Sequence, residues 1–338
     1  MIEEHLQDIT LIQGDCLVGM KDISDESVDV ILTDPPYKYL KNQKLEVDFD
    51  ETIFFNEAKR VLKKDGFIVL FGRGTSFYRW NTILADLGFI FKEEFIWDKG
   101  YCTSPLMAIS RVHETISIHT KKNGTINKVK VPYLEMKKYD ISSIIQDIKR
   151  LRSVFTQVKS MNAVLDFIEN NNIGKTDYTG KNYLSTSHSN KNIDRCVSVM
   201  QGIKNGMSEK SIIRTDRIDN DNFTKFGVNS DKRQSGDRCA NVLQSVEFGL
   251  NEKSIIKEGG DHYSAIHPTQ KPVRLLERLL ALTTNEGDFV LDPFAGSGST
   301  AIACINNRRE FIGYEIDTDY YEAAKKRIMF HQQQQNLF

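Results

Sequence analysis

An α/β fold, a doubly wound mixed sheet, is predicted by three features of this 338-residue sequence. Apolar runs dense in β-branched residues recur towards both ends and alternate with segments of helical spacing, the pattern of a sheet covered on both faces. Two of these runs stop on a carboxylate at a rigid or glycine-rich turn: Val28 to Thr33 before Asp34-Pro35-Pro36-Tyr37, and Asp288 to Leu291 before Asp292-Pro293-Phe294-Ala295-Gly296-Ser297-Gly298. Between the ends, the chain beyond Lys121 turns to Asn, Ser, Lys and Thr with few apolar anchors, as in Gly174 to Asn192, which reads as an insertion.

In chain order, Ile9 to Gln13 is a short strand, and Gly14-Asp15-Cys16 turns out of it with Asp15 placed to cap the segment Cys16 to Met20. Val28 to Thr33 is a buried parallel strand. Lys38 to Glu51 is a polar loop without periodicity. Phe54 to Leu62 has helical spacing and is expected to end before Lys63-Lys64-Asp65-Gly66, a basic last turn followed by a glycine stop. Phe67 to Phe71 is a strand, Phe77 to Leu87 a helix, and Phe89 to Trp97 and Glu114 to Thr120 are strands. Val273 to Leu282 is an amphipathic helix with a leucine-rich face. Asp288 to Asp292 is a strand, Ala301 to Ile305 a helix, Phe311 to Tyr314 a strand and Tyr320 to Phe330 a closing helix, with Gln332 to Phe338 a frayed tail.

Composition narrows the function classes. Hydrophobic residues at 40% and charged residues at 27% are ordinary for a globular chain. No apolar run reaches the ~18 residues of a membrane span, and the start Met1 to Gln7 lacks the features of a signal peptide, so a cytoplasmic location without membrane contact is expected. The five cysteines form no Cys-x-x-Cys pair, which argues against zinc and against a disulfide framework. Net charge is −1, yet residues 121–260 hold 24 Lys and Arg against 16 Asp and Glu, so the middle is basic and the ends acidic.

The middle also contains a duplication. Asp194 to Arg214 recurs as Asp237 to Lys257, with Asp, Arg, Cys, Gln, Gly and the run Glu-Lys-Ser-Ile-Ile repeated. Each copy reads as a helix stopping at Gly206 or Gly249, a cap at Ser208 or Asn251, and a second short helix. The arrangement resembles a helix-turn-helix and would carry Lys210 and Lys253 towards DNA; a hairpin that packs on itself or on a dimer mate explains the pattern equally well.

The chemistry lies at the two carboxylate turns. Ligands of open α/β sheets bind outside the carboxyl ends of strands, where Asp34 stands. Pro35 and Pro36 remove two N–H donors and leave the carbonyls of Asp34 and Pro35 as unclaimed acceptors. With the flat ring of Tyr37 these acceptors suit a planar group bearing an exocyclic amine, although a strand running into a Pro-Pro turn is an adequate structural account of the tetrapeptide alone. At the second turn, Gly296 and Gly298 permit close backbone approach, and the helix start that follows favours an anionic group. Glu315, about seventeen residues beyond Gly298 at the end of a strand, can accept from both hydroxyls of a ribose. Gly296-x-Gly298-x-x-Ala301 formally fits a dinucleotide fingerprint. Asp292 nevertheless puts an acid where a pyrophosphate would lie, and it suits an ammonium better. S-adenosylmethionine carries an ammonium and no pyrophosphate.

Asp34-Pro35-Pro36-Tyr37, the Asp292 to Gly298 loop and His267-Pro268-Thr269-Gln270-Lys271-Pro272 together resemble the amino-group DNA methyltransferases, in the circularly permuted, beta-class order. The resemblance covers residues 9–125 and 262–330. It implies a methyltransferase sheet with a catalytic half at 1–125, an inserted target-recognition region at 126–261 and a cofactor-binding half at 262–338. It further implies transfer from S-adenosylmethionine to the N6 amine of a flipped-out adenine in double-stranded DNA. Asp34, Pro35, Pro36 and Tyr37 would be catalytic. Asp15, Cys16, Lys271, Asp292, Phe294, Ala295, Gly296, Ser297, Gly298, Glu315 and Ile316 would hold the cofactor, with Asp15 at its adenine end and Lys271 beside its methionine carboxylate. A homodimer and a cognate restriction endonuclease are the further candidate partners. Phe95 to Lys99 and His113-Glu114 resemble family positions flanking the base pocket, but a packed aromatic and a satisfied pair at a strand edge account better for them. N4-cytosine transfer, or a DNA-binding protein with a vestigial core, is the alternative.

Overall fold

The computed structural model describes residues 2–6, 8–37, 49–99, 112–138, 140–152, 162, 165, 169, 242–258 and 270–335. The chain divides into two compact units, Met1–Val129 with Glu252–Phe338, and Lys130–Asn251.

The first unit is built on a nine-stranded mixed sheet in the order β1-β2-β11-β10-β3-β4-β6-β5-β9. Its strands are β1 (Ile2–Leu6), β2 (Ile9–Gln13), β3 (Val28–Thr33), β4 (Leu62–Gly72), β5 (Ile90–Asp98), β6 (His113–Thr120), β9 (Ile255–Lys257), β10 (Phe289–Asp292) and β11 (Glu310–Glu315). The five strands β2, β11, β10, β3 and β4 are parallel, and β6 runs antiparallel between β4 and β5. This register brings the carboxyl ends of β2, β3, β10 and β11, and the amino end of β6, to one edge of the sheet.

Alternation within the strands sends side chains to both faces. Val30 and Leu32 of β3, with Val69 and Phe71 of β4, pack with Leu275, Leu276, Ala301, Tyr321 and Ile328 from the helices α7 (Val273–Thr283), α8 (Ser299–Asn307) and α9 (Thr318–Gln335). Ile31, Ile68 and Leu70 pack on the other face with Phe54, Phe55, Trp80 and Leu84 from α2 (Glu51–Val61) and α3 (Gly74–Asp86). Burial on both faces explains the nearly continuous apolar runs of the central strands. Asp50 caps α2 by accepting from the Ile53 N–H at 2.9 Å, and Asp15 caps α1 (Cys16–Gly19) by accepting from the Leu17 N–H at 2.8 Å.

Three expectations need correction. The Glu-Lys-Ser-Ile-Ile run of the second repeat is not helical. A helix over residues 242–248 stops at Gly249, whose φ is +76°, and Leu250–Asn251 (β8) and β9 follow as strands. Ile256 is fully buried against the sheet, β9 pairs with β5, and the buried Glu252 carboxylate meets Arg278 of α7. Five residues with two adjacent β-branched side chains suit either a helix end or a strand, and the sheet decides. The first repeat, His267 to Thr269 and most of the polar loop after Tyr37 lie outside the described residues.

α2 ends before Lys63 as expected, but Lys63 to Gly66 are not its last turn: they continue β4, as extra residues between the Val28/Leu62 and Val30/Phe67 pairs. Lys63 anchors this bulge by bonding both Asp29 oxygens, at 2.7 and 2.8 Å. Residues 332–335, read as frayed, extend α9, a helix tied to α8 by His331 Nε2 and Asn306 Oδ1 at 2.7 Å. The start, to which no element was assigned, forms β1, which pairs antiparallel with β2.

In the second unit, the described residues form β7 (Lys130–Val131), antiparallel to β8, and the helices α4 (Tyr133–Lys137), α5 (Ile141–Arg152) and α6 (242–248). Buried Asp147 accepts from the Tyr133 hydroxyl at 2.7 Å and from Arg150 at 2.8 Å and ion-pairs with Lys137 at 3.2 Å. No described helix is long and apolar enough to cross a membrane.

Candidate functional site

The shared sheet edge gathers carboxylates from strands far apart in sequence. Asp34 follows β3, Asp292 ends β10, Glu315 ends β11 and Asp15 lies just past β2. A cavity of about 330 Å³ opens among them, bordered by Asp34, Pro35, Pro36 and Tyr37 on one side and by Asp15, Cys16, Asp292, Phe294, Ala295, Gly296, Ser297, Glu315 and Ile316 on the other. Lys271 also lines it. Gly298 does not; its φ of +71° forms the turn into α8, where an added Cβ would lie 3.1 Å from Ile328. Because a left-handed conformation costs a residue with a Cβ ~1–2 kcal/mol, Gly298→Ala is expected to lower stability by about that amount in chemical denaturation.

Glu315 organises the glycine turn. Its Oε2 accepts from the Gly296 N–H at 2.9 Å and its Oε1 from the Asp317 N–H at 2.8 Å. Each oxygen keeps further acceptor capacity at the cavity wall. Burial raises the Glu315 pKa, and the two N–H bonds oppose that shift. Asp292 is 4% exposed and accepts from the Thr300 hydroxyl at 2.6 Å and the Phe294 N–H at 3.1 Å. Desolvation pushes its pKa up to about 7, against the pull of those hydrogen bonds. The Cys16 thiol is pushed up to about 12 by burial and by the neighbouring Asp15. Cys16 and Cys304 are both free and buried.

At the other end, the Tyr37 hydroxyl donates to Asp34 Oδ1 at 2.5 Å, and the Lys271 ammonium donates to Asp34 Oδ2. Lys271 Nζ also lies 3.3 Å from Glu114 Oε2, and Lys99 Nζ lies 2.5 Å from Glu114 Oε1. Two cations and two carboxylates thus alternate along one chain of ion pairs. Lys271 is seated over Phe71, 5.2 Å from its centroid, and 6.0 Å from the Trp97 ring. Burial raises the Asp34 pKa, with Glu114 adding to the shift and Lys271 opposing it. Burial also disfavours the Glu114 anion, but Lys271 and Lys99 outweigh it and the Glu114 pKa falls. An aromatic series, Tyr37, Trp80, Phe49 and Phe294, with centroids 6.0, 6.4 and 5.1 Å apart, links the two sides of the cavity.

Lys271 lines the cavity with its ammonium on Asp34 and Glu114, two partners that no local sequence pattern indicates. Sequence reasoning also undervalued Glu114 and Lys99. Glu114, the second residue of β6, lines the cavity and joins Lys99 to Lys271 in the ion-pair chain. The signal was its resemblance to family positions beside the base pocket. Phe49, another lining residue, gave none.

A family model described as "DNA methylase" matches residues 28–326. The chain is 23% identical to the type II methyltransferase M.HinfI of Haemophilus influenzae over 97% of its own length and 71% of that protein. It is 48% identical to the DNA adenine methyltransferase YhdJ of Escherichia coli (strain K12) over 62 residues, which are 18% of this chain and 21% of that protein. In the matches at 43–50% identity, the chain spans 20–25% of the relatives' length. Among solved structures, the cytosine-N4-specific PvuII DNA methyltransferase aligns with a TM-score of 0.52 at 13% identity, covering 96% of this chain and 91% of that one, a likeness of fold.

Proposed function

Because the chain belongs to the DNA methylase family, we propose that it transfers the methyl group of S-adenosylmethionine to the N6 amine of an adenine flipped out of double-stranded DNA. The observation that carries this reading is one cavity bounded by Asp34-Pro35-Pro36-Tyr37 at one end and Glu315 with the glycine turn at the other. Methyl transfer needs an amine and a donor side by side, and such a cavity brings them together.

The residues fit the cofactor. The acceptor capacity left on Glu315 suits the ribose hydroxyls, and the Asp292 carboxylate suits the ammonium. When bound, S-adenosylmethionine supplies an electrophilic methyl group on a sulfonium. The amine of adenine is a weak nucleophile because its lone pair is delocalised into the ring. Asp34 and the Pro35 carbonyl accept its two N–H bonds, draw the nitrogen towards tetrahedral geometry and localise the lone pair. Asp34 is placed to take the proton that leaves. A paired base hides this amine, so the base leaves the stack, and the Tyr37 ring is at hand to face it. No covalent enzyme intermediate is required.

Transfer of labelled methyl from S-adenosylmethionine to unmethylated genomic DNA tests the proposal, and retention of the label on DNA is the expected result. Label that never enters DNA while the cofactor binds would overturn it.

Asp292 gives a pH test of its side of the cavity. A carboxyl whose pKa rises from 3.8 to about 7 on folding holds a proton in the native state that the unfolded chain has already lost. Its contribution to stability is therefore present at low pH and is lost as pH rises from about 4 through 7. Without cofactor, the wild type is expected to lose thermal stability relative to Asp292→Asn between pH 5 and pH 8; melting curves of the pair at the two pH values check the sign.

A further inference from the structure

We infer that Glu114 is a positioning residue that draws the Lys271 ammonium off Asp34 when the target amine arrives, freeing the Asp34 oxygen that the amine needs. The inference rests on the proposed amine chemistry and explains a difficulty within it. Both Asp34 oxygens are already engaged, Oδ1 by the Tyr37 hydroxyl and Oδ2 by Lys271. Each Asp34 oxygen keeps a second acceptor site, but a carboxylate whose charge is shared with an ammonium is a weaker acceptor for a neutral amine and for the proton it gives up.

The structure provides a second seat for the cation. Glu114 Oε2 is buried, lies 3.3 Å from Lys271 Nζ and has no hydrogen-bond partner among the described residues. Such an acceptor is costly to leave unmade, so it attracts the nearest donor. Lys99 holds the other Glu114 oxygen at 2.5 Å and fixes the carboxylate in place. Strand register does the rest, since Glu114 pairs with Trp97 across β5 and β6, two residues before Lys99. Lys271 already lies 3.3 Å from Glu114 Oε2, so a small rotation of its side chain shifts the ammonium from a position shared with Asp34 onto Glu114. The net charge of the buried group is unchanged. Besides Lys271 and Tyr37, the charged groups that bear on Asp34 are Glu114 on β6 and Asp292 on β10.

The test compares Glu114→Gln with Glu114→Gln/Lys271→Met. With Gln at 114, Lys271 stays on Asp34. At saturating cofactor the methyl-transfer kcat is expected to fall about tenfold to a hundredfold, with cofactor Kd unchanged. Removing Lys271 as well clears Asp34, so the double variant is expected to be faster than Glu114→Gln alone, whereas a purely structural role for Glu114 would make the double variant slower. Carboxyl-carbon NMR follows the Asp34 titration without turnover: loss of the Glu114 charge is expected to lower the Asp34 pKa. Wild-type kcat in Glu114→Gln, a double variant slower than the single, or an unmoved Asp34 titration would overturn the inference. A wild type that does not methylate DNA would instead count against the proposed function, and the NMR titration would still decide the role of Glu114.

Discussion

Asp34→Ala is expected to bind S-adenosylmethionine like the wild type and to transfer its methyl group about a hundredfold to a thousandfold more slowly, the scale seen when a preorganised group aimed at developing charge is removed. The two effects separate because the structure separates the two ends of the cavity. Asp34 bonds Tyr37 and Lys271, whereas the glycine turn is held by Glu315. Nor should the substitution strand a buried cation, since Lys271 keeps Glu114 within 3.3 Å. Isothermal titration with the cofactor, beside single-turnover methylation, checks both halves. An active Asp34→Ala would remove the basis for the assigned chemistry.

The second large effect is expected at Glu315. Glu315→Ala removes two charge-assisted hydrogen bonds, to the N–H groups of Gly296 and Asp317, and with them the acceptors offered to a ribose. Hydrogen bonds to charged groups contribute ~1.5–3 kcal/mol each, so a loss of about 3 kcal/mol in cofactor binding is expected, somewhat more than a hundredfold in Kd. The loss should appear in Kd for the cofactor, and kcat at saturation should change far less. A Glu315→Ala variant with wild-type affinity would mean that the cofactor lies elsewhere.

Much of the fold was legible because its central strands are buried on both faces. Val28 to Thr33, Phe67 to Phe71 and Phe289 to Asp292 are recognisable without knowledge of their neighbours, and the strand-end carboxylates follow from them. Elements fixed by pairing were harder to read. β1 forms by backbone hydrogen bonding to β2. β9 is three residues long and is settled by the burial of Ile256 and the Arg278–Glu252 pair. The bulge at Lys63 to Gly66 depends on Asp29, far away in sequence.

The same division holds for the site. Asp34 and Glu315 could be named from the turns they precede, because strand ends are where such sheets bind ligands. The ion-pair chain could not. Lys99, Glu114 and Lys271 meet only because β5 and β6 are in register and the segment before α7 returns to the same edge. No local pattern carries that information, so the two acids on either side of Lys271 were not foreseen.

The most direct test of the central claim is nucleoside analysis of DNA digested after incubation with the protein and S-adenosylmethionine. The account predicts N6-methyladenine in that digest, absent when Asp34→Ala replaces the wild type. N4-methylcytosine in its place would contradict the base assignment, and no methylated nucleoside at all would contradict the proposed transfer to DNA.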